Sequence, residues 1–438
     1  MKLKYIIGLW LSAVLMLSCT EGVATKQHKT FGTIKKHAAF LLSGHEAYDT
    51  FTDDEVRVIK VTNLNRSGEG SLAWAIAQEG PRIVVFEVGG VIDMAQENLQ
   101  IENPYLFIAG QTAPSPGITL IRGGIGVHGH DVMIQHINVR PGDCGLPKMS
   151  DWEVDGLSTG GAYNVVIDHC SFTWATDENL SASGPRHQGL DKTSRNITFS
   201  NCIIAECLYE STHIKGIHSM GTLIHDYCRN IAVIGNLYAH NNQRNPMIKP
   251  NAEAFIVNNL IYNSKTLAIH GTWPLQEYVD CPDSMRRAKL TVVGNVFLPG
   301  GDTEKNVYMI TGKVSAYQKD NKIITTINDK AEDKSRQTVS SDTEELPTPP
   351  LMAESYKIIE AGKVPDHVLT YAGSRPVSRD PIDQRIINEV MSGTGKVIDS
   401  QDEVGGYPDY PLTQQQLSVP PKQIELWLEQ LSERLIHP

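Results

Sequence analysis

The chain has 438 residues, 50 acidic against 39 basic side chains, a formal net charge of −11 and seven cysteines. That balance excludes a nucleic-acid-binding protein, which needs a basic face. Length alone argues for roughly two or three domains, unless the chain is a stack of repeats that grows as one body.

Residues 1–19 read as an export signal outside the fold. Lys2 and Lys4 are basic, Tyr5 to Leu17 is apolar but too short to span a bilayer, and Ser18-Cys19 follows. A small residue followed by cysteine after such a run resembles the lipobox of bacterial lipoproteins, with Met16 a less usual choice there. The implied mature protein is exported and carries a lipid on Cys19. It sits at the cell surface or in the periplasm, on a Gram-negative outer membrane, anchored but not spanning. The six remaining cysteines, at 144, 170, 202, 207, 228 and 281, show no disulfide-framework spacing.

Val58 to Leu64 and Arg82 to Val88 read as opening strands. Ser71 to Gln78 between them has helical composition and would cap the exposed end of a stack. Leu106 to Gly110 and Ile118 to Ile121 continue the strands. Six later segments then share one alternating apolar pattern that ends in His or Asn followed by an apolar residue or Cys. They are Val132-Met-Ile-Gln-His136-Ile, Val165-Val-Ile-Asp-His169-Cys, Ile197-Thr-Phe-Ser-Asn201-Cys, Ala232-Val-Ile-Gly-Asn236-Leu, Phe255-Ile-Val-Asn-Asn259-Leu and Leu290-Thr-Val-Val-Gly-Asn295-Val. The His/Asn positions recur at intervals of 33, 32, 35, 23 and 36 residues. These intervals are too long for hairpins and lack regular helical patterns between strands, so they fit coils of a parallel β-helix. The fold predicted is all-β: a right-handed parallel β-helix with an N-terminal capping helix and a C-terminal arm.

Stacking gives the columns meaning. His136, His169, Asn201, Asn236, Asn259 and Asn295 would form one hydrogen-bonded ladder at the ~4.8 Å strand spacing. Ile137, Cys170, Cys202, Leu237, Leu260 and Val296 would form an apolar stack beside it. On that reading Cys170 and Cys202 are buried small hydrophobes, with a disulfide between adjacent coils as the alternative. The catalytic β-helix is expected over 30–312, where the pattern decays. A polar linker or arm follows over 313–350, and a segment packing on the stack over 351–438 with helices at Pro381 to Met391 and Pro421 to Leu435.

Two acidic clusters lie among the coils: Asp151-Trp-Glu153-Val-Asp155, whose carboxylates share one face if extended, and Asp177-Glu178. Stacking would bring them to neighbouring coils, where they would suit a calcium ion. Basic side chains follow at Arg244 and Lys249, on either side of Pro246. A guanidinium in a protein normally stays protonated, so Arg244 alone reads as a carboxylate clamp.

Arg244-x-Pro246-x-x-Lys249 resembles the Arg-x-Pro-x-x-Arg motif of the pectate lyases of polysaccharide lyase family 1, with lysine for the second arginine. Glu153-Val-Asp155 before Asn164-Val-Val-Ile-Asp168-His169 resembles that family's Asp-Gly-Asp element and the strand after it. The resemblance runs from about Val58 to Leu298. More faintly, Tyr371 to Pro376, Asp380 to Asp383 and Gly405 to Pro408 resemble the C-terminal arm of pectate-lyase-like proteins of Bacteroidetes. It implies calcium-assisted β-elimination of α-1,4-galacturonan, with Arg244 as the base in a field crowded by calcium, Lys249 and Lys215, and hence an alkaline optimum. Glu153, Asp155, Asp177 and Glu178 become the calcium ligands, Ser181 falling where the family has a further carboxylate. Lys249, Lys215 and His218 become substrate-binding groups, the family's lysine being displaced to Lys215 or replaced near His218. His225 and Arg229 are basic neighbours without motif support, and His169 belongs to the ladder. The partner implied is polygalacturonate, bound by a monomer whose only membrane contact is its lipid. Two other readings remain: a non-catalytic surface pectin binder, and a glycoside hydrolase on the same scaffold.

Overall fold

The computed structural model describes residues 31–40, 51–279, 284–353 and 356–437, so the export segment, Cys19 and Cys281 lie outside the described residues. Three sheets of eleven, eight and ten strands run the length of the stack, and sequential coils pair in parallel throughout. The only antiparallel partner among the described strands is Thr413–Gln414, which lies against Val88–Asp93. The fold is a parallel β-helix. The six repeated segments all fall in the first sheet, from His130–Gln135 through Ala288–Val293.

Period-2 alternation builds this. Val132, Val165, Ile197, Ile231, Ala254 and Leu290 are cross-strand partners and point into one interior column. Each buried Val or Ile contributes roughly 1.5–3 kcal/mol. The outward faces of two sheets are buried as well. Val364, Val368, Ile386 and Val390 of the helices Val364–Tyr371 and Pro381–Ser392 cover the third sheet at Ile203, Leu237 and Leu260. Ile424 and Leu428 of the helix Ile424–Ile436 cover the first sheet at Ile83, Phe107 and Met133, together with Phe31 and Ile34. Arg140 pins this arm: buried, it lies 2.9 Å from both Asp380 and Asp383 at the start of the Pro381 helix. No hydrophobic cluster of the described residues covers the outer face of the second sheet, which the helices of the arm leave open.

The short helix Leu72–Ile76 is capped by Ser71, whose Oγ accepts from Trp74 N at 3.2 Å, and sends Leu72, Ala75 and Ile76 into the core. The sheets continue past residue 312. Val314–Lys319 joins the first sheet and Lys322–Ile323 the third, with only the inward residues apolar. The ladder also differs from expectation. Ser200 pairs with Ile234, which sets Asn201 level with Gly235, and Cys202 level with Asn236. His136, His169, Asn201, Gly235, Asn258 and Gly294 are the corner residues, with φ between 48 and 66°. A side chain at Gly235 would stand 2.7 Å from Asn201 Oδ1. The true ladder is Asn236, Asn259, Asn295 and Asn321, each Nδ2 donating to the next Oδ1 at 2.9–3.1 Å. Cys202 heads it, its N–H donating to Asn236 Oδ1 at 2.8 Å. Cys170 and Cys202 are buried free thiols in that inner column, not a disulfide.

Candidate active site

The open face of the second sheet gathers the chemistry. Asp155 precedes the strand Leu157–Gly160, Asp177 precedes Glu178–Ser183, and the loop 209–219 precedes Met220–Ile224. Arg244 precedes Met247–Ile248. Leu157 pairs with Leu180 and Glu178 with Met220, so these entries stack on one edge. A bridge from Met220 to Gln243 brings Arg244 onto the same edge, with its backbone at φ 63°.

Asp155, Asp177 and Glu178 place carboxylate oxygens within 4.8 Å of one another. Asp155 accepts from Glu178 N at 3.0 Å and from Ser181 Oγ at 2.6 Å. Ser181, which stands where the sequence suggested a missing charge, therefore orients one. Burial, and then the charge of Asp177, push the Asp155 carboxyl up to about 7. Asp177 is only partly buried, and its desolvation is outweighed by the hydrogen bond and charge of His218, which hold it below the usual carboxylate range. Glu178 is buried and ion-paired with Arg244, yet its Oε1 accepts no aligned hydrogen bond. Three carboxylates face one guanidinium here, and an oxygen-seeking cation fits that excess of negative charge.

Glu153 does not join this group. Its Oε1 lies 3.2 Å from His213 Nδ1 and accepts from Ile214 N at 3.2 Å. The loop path, not strand alternation, decides this, because 151–155 is not a strand. His218 turns toward the carboxylates, its Nε2 lying 2.9 Å from Asp177 Oδ1. His213, which no sequence pattern singled out, stacks on His218 at 3.5 Å between ring centroids. Its only sequence signal was a second histidine five residues before His218.

Arg244 has its pKa lowered by burial, against the charges of Asp177, Asp155 and Glu277. Lys249 Nζ lies 2.6 Å from Glu277 and 4.0 Å from Asp226. Asp226 also pairs with Arg186 and with His225. Lys215 is exposed on the loop, its backbone N donating to His213 Nδ1 at 3.1 Å. Arg229 pairs weakly with Asp191 at 3.5 Å, outside these groups.

The probable pectate lyase C of Aspergillus flavus is 31% identical over 362 residues, covering 80% of this chain and 77% of that protein. The probable pectate lyase C of Emericella nidulans is 30% identical over 358 residues, covering 80% and 76%. Among solved structures, a variant of a Bacillus subtilis pectate lyase superposes with a TM-score of 0.52 at 13% identity, over 81% of this chain and 100% of that one. A pectate lyase bound to a hexasaccharide gives 0.50 at 14%, over 80% and 99%. These two likenesses concern the fold alone. No family model matches the chain.

Proposed function

The chain belongs to the pectate lyase family and is a polysaccharide lyase; from that premise we propose that it cleaves α-1,4-galacturonan by β-elimination, with Arg244 as the base. A base takes the C5 proton, the electron pair of the broken C5–H bond forms the C4–C5 double bond, and the C4–oxygen bond breaks with its pair on oxygen. The leaving oxygen takes a proton, and an unsaturated uronate remains at the new non-reducing end.

The observation that carries this reading is Arg244 held against Asp155, Asp177 and Glu178 on the uncovered sheet. Those three carboxylates would hold calcium, which when bound neutralises a uronate carboxylate and so acidifies C5. Glu153 stands outside that set. Burial favours neutral Arg244, while the surrounding carboxylates keep its proton on. Engaging them weakens the opposing field and lets desolvation dominate, so the rate should rise toward alkaline pH as more of the base is neutral. Lys249 is the proposed grip on a neighbouring uronate, in exchange for Glu277. Lys215, exposed on the loop, is the proposed contact to the polymer further along. His218 acts on substrate only through Asp177.

A hydrolase needs two carboxyl groups at least about 5 Å apart across the scissile bond. Here three carboxylates cluster around one guanidinium with oxygens within 4.8 Å of one another, a grouping that suits a shared cation better than an acid–base pair. No helix among the described residues is long and apolar enough to cross a membrane. Export and a lipid on Cys19 therefore rest on the N-terminal sequence. The deciding experiment is an ultraviolet assay for unsaturated product on polygalacturonate, first in chelator and then with calcium restored. Activity should vanish and return. New reducing ends without ultraviolet absorbance would mean hydrolysis, and retention on pectin without turnover at any calcium level would mean a binder. Full rate in chelator would remove the cation from the mechanism.

A further inference from the structure

Across the second sheet from Arg244, the strand ends carry another charged group, and the elimination reading uses only one member of it. Asp226 and Lys249 follow the neighbouring strands Met220–Ile224 and Met247–Ile248, which pair with each other. Two further loops meet over them. One follows Glu178–Ser183 and brings Arg186, and the other follows Ile269–Gly271 and brings Glu277 and Tyr278. The Arg186 guanidinium lies 4.5 Å from the centre of the Tyr278 ring, donates to Glu277 O at 2.7 Å and pairs with Asp226. The Tyr278 hydroxyl donates to Asp226 as well.

Charge decides what this group can do. The Arg186 and Lys249 side chains are only 12% and 11% exposed, and the fully buried Asp226 beside them offsets one positive charge of the two. The other meets Glu277, an exposed residue whose Oε2 lies 2.6 Å from Lys249 Nζ and 3.8 Å from Arg186 Nη1. We propose that Arg186 is a further substrate-contacting residue: with Lys249 it forms a two-cation seat for a uronate carboxylate, and Glu277 fills that seat in the free chain. This rests on the uronan reading above and gives Lys249 a partner from outside its own motif.

Three features fit such an exchange. Glu277 can leave by rotating its side chain alone, because its neighbour Tyr278 is buried and tied to Asp226, which keeps the turn Leu275–Tyr278 in place. Arg186 has a donor to spare, since Asp226 takes one of the two Nη1 hydrogens and the other points to no oxygen nearer than Glu277 Oε2 at 3.8 Å. Once Glu277 leaves, two cations face one carboxylate, so the seat favours a charged uronate over its neutral methyl ester.

The test titrates the full chain, in chelator so that no turnover intervenes, with trigalacturonate and separately with its methyl ester. The parent should bind the acid more tightly. Arg186→Gln should weaken the acid about tenfold and the ester less than about twofold, and Arg186→Lys should recover most of the loss. Glu277→Gln should tighten the acid by up to about fivefold, and that gain should vanish when Arg186→Gln is added. An unchanged acid-to-ester ratio in Arg186→Gln overturns the seat, as does a Glu277→Gln gain that survives in full in the double variant. Should Arg186→Gln not fold, Glu277→Gln decides, because it alters only an exposed side chain; no gain in acid affinity there also overturns the seat. Trigalacturonate seated as expected without unsaturated product would sink only the reaction. Product formed while Arg186→Gln keeps the parent's ratio would sink only this inference.

Discussion

The corner between the first and third sheets and the open face of the second are made by the same coils, yet they treat polar groups in opposite ways. At the corner, Asn236, Asn259, Asn295 and Asn321 are neutral, and each amide bonds to the next. At the open face, Glu178 Oε1, Arg244 Nε and His213 Nε2 are buried without a hydrogen-bond partner. A satisfied ladder stabilises and does nothing else. Charges crowded and left short of partners cost stability, and they persist where the surrounding stack over-determines them. The contrast holds between these two regions; buried polar atoms without a hydrogen-bond partner also occur away from both, as at Arg140 and His240.

The sharpest way to break it is Arg244→Lys. If Arg244 is the base, turnover on polygalacturonate should fall about 10³-fold, within the range for a lost general base. The melting temperature should stay near that of the parent, because a lysine still meets Glu178. Near-native turnover in that variant would end the base assignment.

The converse change is Asn259→Leu, which should harm folding and spare chemistry. Asn259 Oδ1 accepts from Asn236 N at 2.9 Å and its Nδ2 donates to Val233 O at 2.9 Å. Leucine leaves both backbone groups buried and unpaired, at about 1–3 kcal/mol each, so a loss near 3 kcal/mol is expected in denaturant unfolding. Turnover per folded molecule should not change.

Asp155→Asn sharpens the contrast through pH. The Asp155 carboxyl is raised from 3.8 to about 7 in the folded chain. A carboxyl raised on folding binds its proton more tightly in the folded state, so stability is fully present below the unfolded pKa. It then falls as pH rises from about 4 to about 7. In chelator, melting temperature should follow that slope in the parent and lose part of it in Asp155→Asn. At pH 8 the variant should be at least about 1 kcal/mol more stable than the metal-free parent. Calcium should stabilise the parent and not the variant. A variant less stable than the parent at every pH would mean that Asp155 is a structural acceptor for Ser181 and Glu178.

The six repeated segments were legible because alternation over β-branched residues is a property of the chain itself. Their register at the corner was not. Asn201 and Asn236 look equivalent in sequence, but the corner depends on which residue takes positive φ, and at Gly235 that residue precedes the asparagine. The coil at Val314–Lys319 escaped because its outward positions, Ser315, Tyr317 and Lys319, are polar or amphipathic and hide the apolar ones. At the site, Asp155, Asp177 and Arg244 were legible because each matches a position in a short motif of the pectate lyase family, at a set offset within it. Glu153 and His213 could not be paired by such offsets, since a loop of irregular path brings them together.

The smallest expected effect tests whether the second charged group belongs to the site or to the scaffold. Lys249 is mostly buried, and Glu277, whose side chain is 42% exposed, holds it at 2.6 Å. A uronate carboxylate reaching Lys249 must displace Glu277, and a partly exposed pair of this kind is worth about 0.2–1 kcal/mol. Glu277→Gln removes the competing charge but keeps a hydrogen-bonding side chain, and Asp226 stays near Lys249 to steady it. KM for polygalacturonate should therefore fall by up to about fivefold, with kcat little changed. The salt dependence of KM should steepen as well, because a freed ammonium now meets the polymer directly. A higher KM in the variant would mean that Glu277 aims Lys249 at the polymer and does not compete for it, and an unchanged KM would leave the pair in the scaffold.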